Sequence, residues 1–234
     1  MNADAFTLRK NRFGKLYFKV VLTGGPCSGK TTMVSNLARK IADEFGDTWQ
    51  AFTVAEASTL LYSGGVTRHS MSPGQKAIWQ KDILQTIFRL EDVFEKIAIN
   101  EDRKNTIIIC DRGGMDPKVF AEEGQWKLIM DNIGVMEDEI MKRYDLVLRL
   151  HTAPRLEDRN RSLCGKPLRC SNRYNNRTNG ARRECFEEAE KVNDRYDAIW
   201  QRHPHFYSIT SNNSLEEKEN DAFEKISKVI RKYN

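Results

Sequence analysis

The residues Gly24-Gly25-Pro26-Cys27-Ser28-Gly29-Lys30-Thr31 fill the spacing G-x-x-x-x-G-K-[ST] directly after the apolar run Val20-Val21-Leu22. Glycines and small residues let consecutive backbone N–H groups turn inward around a phosphate. A helix beginning at the end of such a loop adds its positive N-terminus, and Lys30 adds a mobile cation for the outer phosphates. The Thr31 hydroxyl is the expected magnesium ligand. The motif therefore predicts a nucleoside triphosphate, ATP or GTP, held with Mg2+ by Gly25, Pro26, Cys27, Ser28, Gly29, Lys30, Thr31 and the adjacent Thr32. The competing reading is a glycine-rich strand-to-helix turn with no ligand, and the agreement of pattern with context argues against it.

Further apolar runs also end in residues that can do chemistry. Ala51 to Ala55 precedes Glu56, Thr106 to Cys110 precedes Asp111, Arg112 and Gly113, and Phe206 to Thr210 precedes Ser211, Asn212 and Asn213. Asp111 has the form of a carboxylate that orients magnesium, directly or through water, with a capping or salt-bridging role as the alternative. Arg112 could hold a substrate or a phosphate, or form a structural ion pair. Glu56 is the candidate base. In a partly desolvated crevice it could accept a substrate hydroxyl proton, orient a substrate without proton transfer, or serve the fold alone. Asn212 is a candidate contact to the nucleotide. Weaker signals give less: Cys164, Cys170, Cys185, His203 and His205 fit no compact zinc site, and His151 reads as a strand-end histidine.

The elements that must position these residues alternate. Leu16 to Leu22 reads as a strand, Thr31 to Phe45 as its helix, and Ala51 to Ala55 as a short second strand. Pro73 opens a long helix with Trp79, Ile83, Ile87, Leu90, Phe94 and Ile97 as one core-facing apolar stripe. Thr106 to Cys110 is a third, fully buried strand, and Asp145 to Leu150 a fourth. A helix over 184–200, a strand from Phe206 to Thr210 and a helix from Leu215 to Lys232 follow. Strands separated by helices favour parallel pairing, with ligands at the carboxyl ends.

Composition bounds the rest. A chain of 234 residues with 39% hydrophobic and 30% charged residues suits one α/β domain, expected to span 1–234. No apolar run is long enough for a transmembrane segment, the N-terminus lacks a secretory signal, and five cysteines without close repeated spacing suit reduced thiols. Together these lead to the expectation of a cytoplasmic protein. The net charge of +5 is local: Arg159, Arg161, Lys166, Arg169, Arg173, Arg177, Arg182 and Arg183 stand with no acid between them, and without these eight the charge would be −3. The segment 159–183 reads as a basic lid that closes on phosphates, with Arg159 and Arg161 foremost. A basic arm for RNA or acidic lipid, or a solvated loop, are the alternatives. No DNA partner is expected.

The loop Gly24 to Thr31, Glu56, and the string Cys110-Asp111-Arg112-Gly113-Gly114-Met115-Asp116 together resemble the phosphate-loop domain shared by bacterial ribosylnicotinamide kinases of the NadR type and the TRPL translocation defect proteins of animals. Trp200-x-x-His203-Pro204 fits the same group, and the resemblance covers nearly the whole chain. More distantly, Glu56 with Asp111-Arg112 is similar to the glutamate and acid-arginine pair of deoxynucleoside kinases. The resemblance implies a P-loop NTPase three-layer sandwich, a five-stranded parallel sheet with helices on both faces, nucleotide-kinase-like with a basic lid. Longer animal members continue into a second, CYTH-like domain, so nothing residing there carries over. Two function classes follow: a small-molecule kinase using Glu56 and Asp111/Arg112 on an unidentified acceptor, or an ATP- or GTP-controlled binding protein with slow turnover and a protein or lipid partner in membrane traffic.

Overall fold

The structure, a computed structural model, describes residues 8–25, 28–66, 71–151, 194–210 and 214–234. Five parallel strands, β2 (Leu16–Thr23), β3 (Trp49–Val54), β4 (Asn105–Asp111), β5 (Leu146–Leu150) and β6 (Phe206–Ile209), lie in the order β3-β4-β2-β5-β6. A short strand, β1 (Arg9–Lys10), pairs antiparallel with Tyr17 and Leu16 of β2. Because β5 pairs only from Val20 onward, β1 fills the lower half of that edge of β2. Sequence periodicity did not signal β1, since two charged residues have no apolar alternation; the turn at Gly14, with φ 78°, folds them back.

Eight helices are described: α1 (Lys30–Phe45), α2 (Ala57–Ser63), α3 (Pro73–Ile99), α4 (Asp116–Phe120), α5 (Glu123–Ile133), α6 (Glu137–Met141), α7 (194–200) and α8 (Leu215–Lys232). The period-2 alternation of β2 decides which helices lie on which face. Phe18, Val20 and Leu22 point to the face covered by Met33, Leu37 and Ile41 of α1 and Ala222, Ile226 and Ile230 of α8. Tyr17 and Val21 point to the opposite face, where Leu84 of α3, the short helices α4 to α6, and Tyr196 and Trp200 of α7 close the third layer.

In α3 a capping box starts the helix: the Ser72 side chain accepts from the Gln75 N–H while Gln75 accepts from the Ser72 N–H. Its apolar stripe differs from the sequence expectation at one end. Trp79, Ile83 and Ile87 are buried, but Ile97 is 47% exposed and Ala98 takes the buried position. Over its full length the helix drifts off an inward stripe read at fixed steps of three and four, which explains the slip.

Chain connections from β2 run toward β3 and those from β5 toward β6, so the direction reverses at the sheet centre. The crevice at that reversal, over the carboxyl ends of β2 and its neighbours, is where an open α/β sheet accepts a ligand.

Candidate functional site

Gly24 leaves β2 with φ 145°, and a Cβ there would lie 2.2 Å from the Leu150 carbonyl oxygen, so the chain can pass β5 only as glycine. Gly29 is left-handed at φ 90° and stands immediately before α1. Lys30, 5% exposed, donates to the carbonyls of Gly24 and Gly25 at 2.8 Å each and to Ser28 Oγ at 3.0 Å. Burial, with the Arg112 charge beside it, lowers its pKa to about 7 against the pull of Asp111, Glu56 and Asp116.

Register brings Leu22 of β2 alongside Asp111 at the end of β4. Thr31 Oγ1 then donates to Asp111 Oδ2 at 2.7 Å, while Asp111 Oδ1 is buried with no hydrogen-bond partner. Burial pushes the Asp111 carboxyl up, as does the charge of Glu56, and Lys30 and the Thr31 hydroxyl oppose the shift.

Arg112 follows in the left-handed region, φ 72°, which is strained for a residue with a Cβ. Its Nε donates to Glu56 Oε1 at 2.6 Å, and its Nη1 donates to the Gly24 carbonyl at 3.2 Å and to the Tyr196 hydroxyl. Glu56, just before α2, also accepts from Ser58 Oγ at 2.7 Å and Thr59 Oγ1 at 2.8 Å. Burial alone would raise its pKa, but the charges of Arg112 and Lys30 and the two hydroxyls hold it down at about 2. Glu56 is thus an ionised acceptor in this state.

Several neighbours were not singled out from the sequence. Asp116, 1% exposed, accepts at Oδ1 from Thr23 Oγ1 at 2.7 Å and from Trp200 Nε1 at 2.8 Å, and its Oδ2 lies 3.6 Å from Arg112 Nη1. Arg149, fully buried on β5, pairs with Asp197 at 3.1 Å and faces the Tyr196 ring. Only the string around Asp116 was visible in sequence; Arg149 and Tyr196 sit in stretches that read as plain strand and helix.

Of the residues expected in the site, Gly25, Ser28, Gly29, Lys30, Thr31, Glu56, Asp111 and Arg112 gather around the start of α1 and the ends of β3 and β4, and Thr32 is exposed on the first turn of α1. Pro26, Cys27, Arg159, Arg161, Asn212 and the segment 159–183 lie outside the described residues. His151 bonds Ser208 Oγ at 2.7 Å, at the strand end expected for it. Among the described residues no group of three or more His, Cys, Asp or Glu side chains could hold a metal ion, and no helix is long and apolar enough to cross a membrane.

A phosphate loop on the central strand of a parallel sheet, with helices on both faces, defines a nucleoside-kinase-like P-loop domain. Within that class the chain belongs to the AAA domain family, whose model matches residues 19–218. Among solved structures it is similar to NadR protein in complex with NAD and AMP-PNP, at 14% identity and a TM-score of 0.56, covering 91% of this chain and 49% of that one. NadR in complex with NR gives 16% identity and a TM-score of 0.53, covering 91% and 51%. Thymidylate kinase from Ehrlichia chaffeensis gives 16% and 0.53, covering 92% of this chain and 98% of that one. The chain thus spans about half the length of the NadR chains it resembles. No curated protein sequence matches it.

Proposed function

We propose that this chain is a Mg2+-dependent phosphotransferase that moves the γ-phosphoryl group of a nucleoside triphosphate to the hydroxyl of a small, nucleoside-like acceptor. The observation that carries the proposal is the junction of Lys30, the Thr31–Asp111 pair and the Glu56–Arg112 pair in one crevice. The NadR structures, with AMP-PNP in one and NR in the other, support the same reading of nucleotide and acceptor.

The donor set suits a hard cation. Asp111 has a buried carboxylate oxygen with no partner beside the Thr31 hydroxyl, and Mg2+ is usually bound by one or two such groups with substrate phosphates and water. Bound there, Mg2+ would neutralise charge on the phosphates. Lys30 would exchange its loop carbonyls for phosphate oxygens. Among the described residues Glu56 Oε2 accepts from Thr59 alone, which leaves lone-pair capacity for the acceptor hydroxyl. Arg112 Nη2 donates to no acceptor among the described residues, so that its N–H pair is open to an oxygen of the transferred group.

In the transfer, the acceptor oxygen forms a bond to the γ-phosphorus as the bond from that phosphorus to the β,γ-bridging oxygen breaks. The bond electrons leave with the nucleoside diphosphate, and the hydroxyl proton passes to the Glu56 side. A carboxylate held near pKa 2 is a weak base, so orientation of the hydroxyl is its larger contribution.

The test is phosphoryl transfer from ATP and from GTP, with Mg2+, across nucleosides and vitamin-like alcohols. Acceptor-dependent formation of the nucleoside diphosphate together with the phosphorylated acceptor, abolished in Lys30→Ala, is expected. Tight nucleotide binding with no transfer to any acceptor would sink the proposal and leave a nucleotide-controlled binding protein.

A further inference from the structure

Resting on this reading of Arg112, we infer that Tyr196 is a positioning residue of the site, whose hydroxyl fixes the direction in which Arg112 presents its open N–H pair. Tyr196 belongs to α7, far from Arg112 in sequence, and is fully buried. Its hydroxyl oxygen accepts from Arg112 Nη1, and its ring lies 5.8 Å from the Arg112 guanidinium carbon and 5.5 Å from that of Arg149.

A guanidinium is planar, so anchoring two of its nitrogens settles where the third points. Glu56 anchors Nε at 2.6 Å and Tyr196 anchors Nη1, which the Gly24 carbonyl meets more loosely at 3.2 Å. Without the phenol oxygen Nη1 keeps, among the described residues, only the Gly24 carbonyl and Asp116 Oδ2 at 3.6 Å, both longer contacts, so the group can pivot about its bond to Glu56 and Nη2 loses its aim. The backbone at Arg112 adds force to this, because a left-handed arginine is a conformation that only surrounding contacts sustain.

Tyr196 is itself held. Its neighbour Asp197 pairs with the buried Arg149 at 3.1 Å, and Trp200, one turn on, donates to Asp116 Oδ1 at 2.8 Å. A single short stretch of α7 therefore reaches three buried charges: Arg112, Arg149 and Asp116. A phenylalanine would fill the same space and keep the ring contacts, so packing alone does not call for the hydroxyl. Tyr196 touches no reacting atom; it acts through Arg112.

Tyr196→Phe in the full chain removes one oxygen and tests this. Loss of a hydrogen bond to a charged group is expected to lower kcat for the acceptor roughly 10- to 100-fold. The triphosphate Kd stays within about threefold and the melting temperature moves little, because ring burial is retained. The decisive measurement is a double-mutant cycle: in an Arg112→Gln background Tyr196→Phe should have no further effect on kcat. Wild-type kcat in Tyr196→Phe, or the same loss in both backgrounds, would overturn the inference.

A second readout needs no turnover. The guanidinium 15N signals of Arg112, assigned by their absence in Arg112→Lys, should shift and broaden in nucleotide-free Tyr196→Phe, and unchanged signals would overturn the inference. If the wild-type chain transfers to no acceptor, the proposed reaction fails, while the arginine signals still decide whether Tyr196 sets Arg112.

Discussion

At Glu56 the chemistry is set by an arginine more than by the carboxylate itself. The pair Glu56–Arg112 is only 13% and 11% exposed, and the Glu56 pKa falls to about 2 from the usual 4.5. Because the folded value lies below the unfolded one, the pair stabilises the chain fully above about pH 4.5, and this contribution is lost as pH falls toward 2. Glu56→Gln keeps the size and removes the charge. Under the proposed reaction it should lower acceptor transfer about 100-fold with far less effect on triphosphate affinity, since there the carboxylate serves the acceptor hydroxyl and Lys30 and Thr31 serve the phosphates. Acid melts give the independent check: the stability gap between wild type and Glu56→Gln should be constant from about pH 5 to 8 and close below it. A gap that stays open in acid would mean the carboxylate is not held low by Arg112.

At the level of elements, the turn from β4 into α4 carries the site because two glycines let it sit against the third layer. A Cβ on Gly113 would come 2.8 Å from Val21 Cγ2 and 2.9 Å from Tyr144 Cζ, and one on Gly114 would come 2.7 Å from Ile140 Cγ2 and 2.8 Å from Phe88 Cε1. The Gly114 N–H also donates to the Tyr144 hydroxyl at 2.5 Å, which ties the turn to the segment before β5. Gly114→Ala should cost about 1–3 kcal/mol by overpacking and lower transfer more than nucleotide binding, because the shift propagates to Arg112. Denaturant unfolding with parallel binding assays would show it, and a variant as stable and active as wild type would mean the layer yields freely. The approach to β6 holds a second switchable contact. His203 Nε2 lies 3.0 Å from the Tyr144 carbonyl while its Nδ1 accepts from the His205 N–H at 3.1 Å, an arrangement that needs the neutral ring. Burial lowers the His203 pKa from 6.5, and the Tyr144 carbonyl and Asp145 oppose the shift. The unfolded chain therefore binds the proton first, and stability should fall as pH drops below about 6.5. Thermal melts from about pH 7.5 to 5.5 should show this slope, and His203→Gln should flatten it.

Across the whole molecule, what the sequence made legible was local and what it hid was long-range. The phosphate loop, Glu56, and Asp111-Arg112 could be placed because each ends an apolar run, and a parallel sheet puts such ends on one rim. Lys19 shows the limit. It sits inside a run read as an ordinary strand, yet it is fully buried, and its partners Glu91 and Glu95 lie on α3, separated by most of a domain half in sequence. Between β4 and β5, α4 and α6 have five residues each and are too short for a period to declare itself in the sequence. Partners such as Tyr196 for Arg112 or Arg149 for Asp197 exist only once the layers are stacked. The charge network around Glu91 is where this matters for stability. Glu91 is fully buried and meets Lys19 at 3.4 Å, Arg143 at 2.9 Å and the Tyr144 hydroxyl at 2.6 Å, joining β2 and α3 to the segment before β5. Removing a buried charge while its partners stay costs more than never having built the pair, because the remaining cations cannot return to water. Glu91→Gln should therefore lower the unfolding free energy by about 3–5 kcal/mol. Adding Lys19→Met should restore part of that loss, since a buried cation left with Glu95 alone, at 2.9 Å, is then replaced by an apolar chain of similar length, while Arg143 keeps its bond to Asp92 at 2.6 Å. Urea unfolding of the single and double variants decides it. A loss under about 0.5 kcal/mol for Glu91→Gln would mean that water reaches the network and that the third layer is held by its apolar contacts alone.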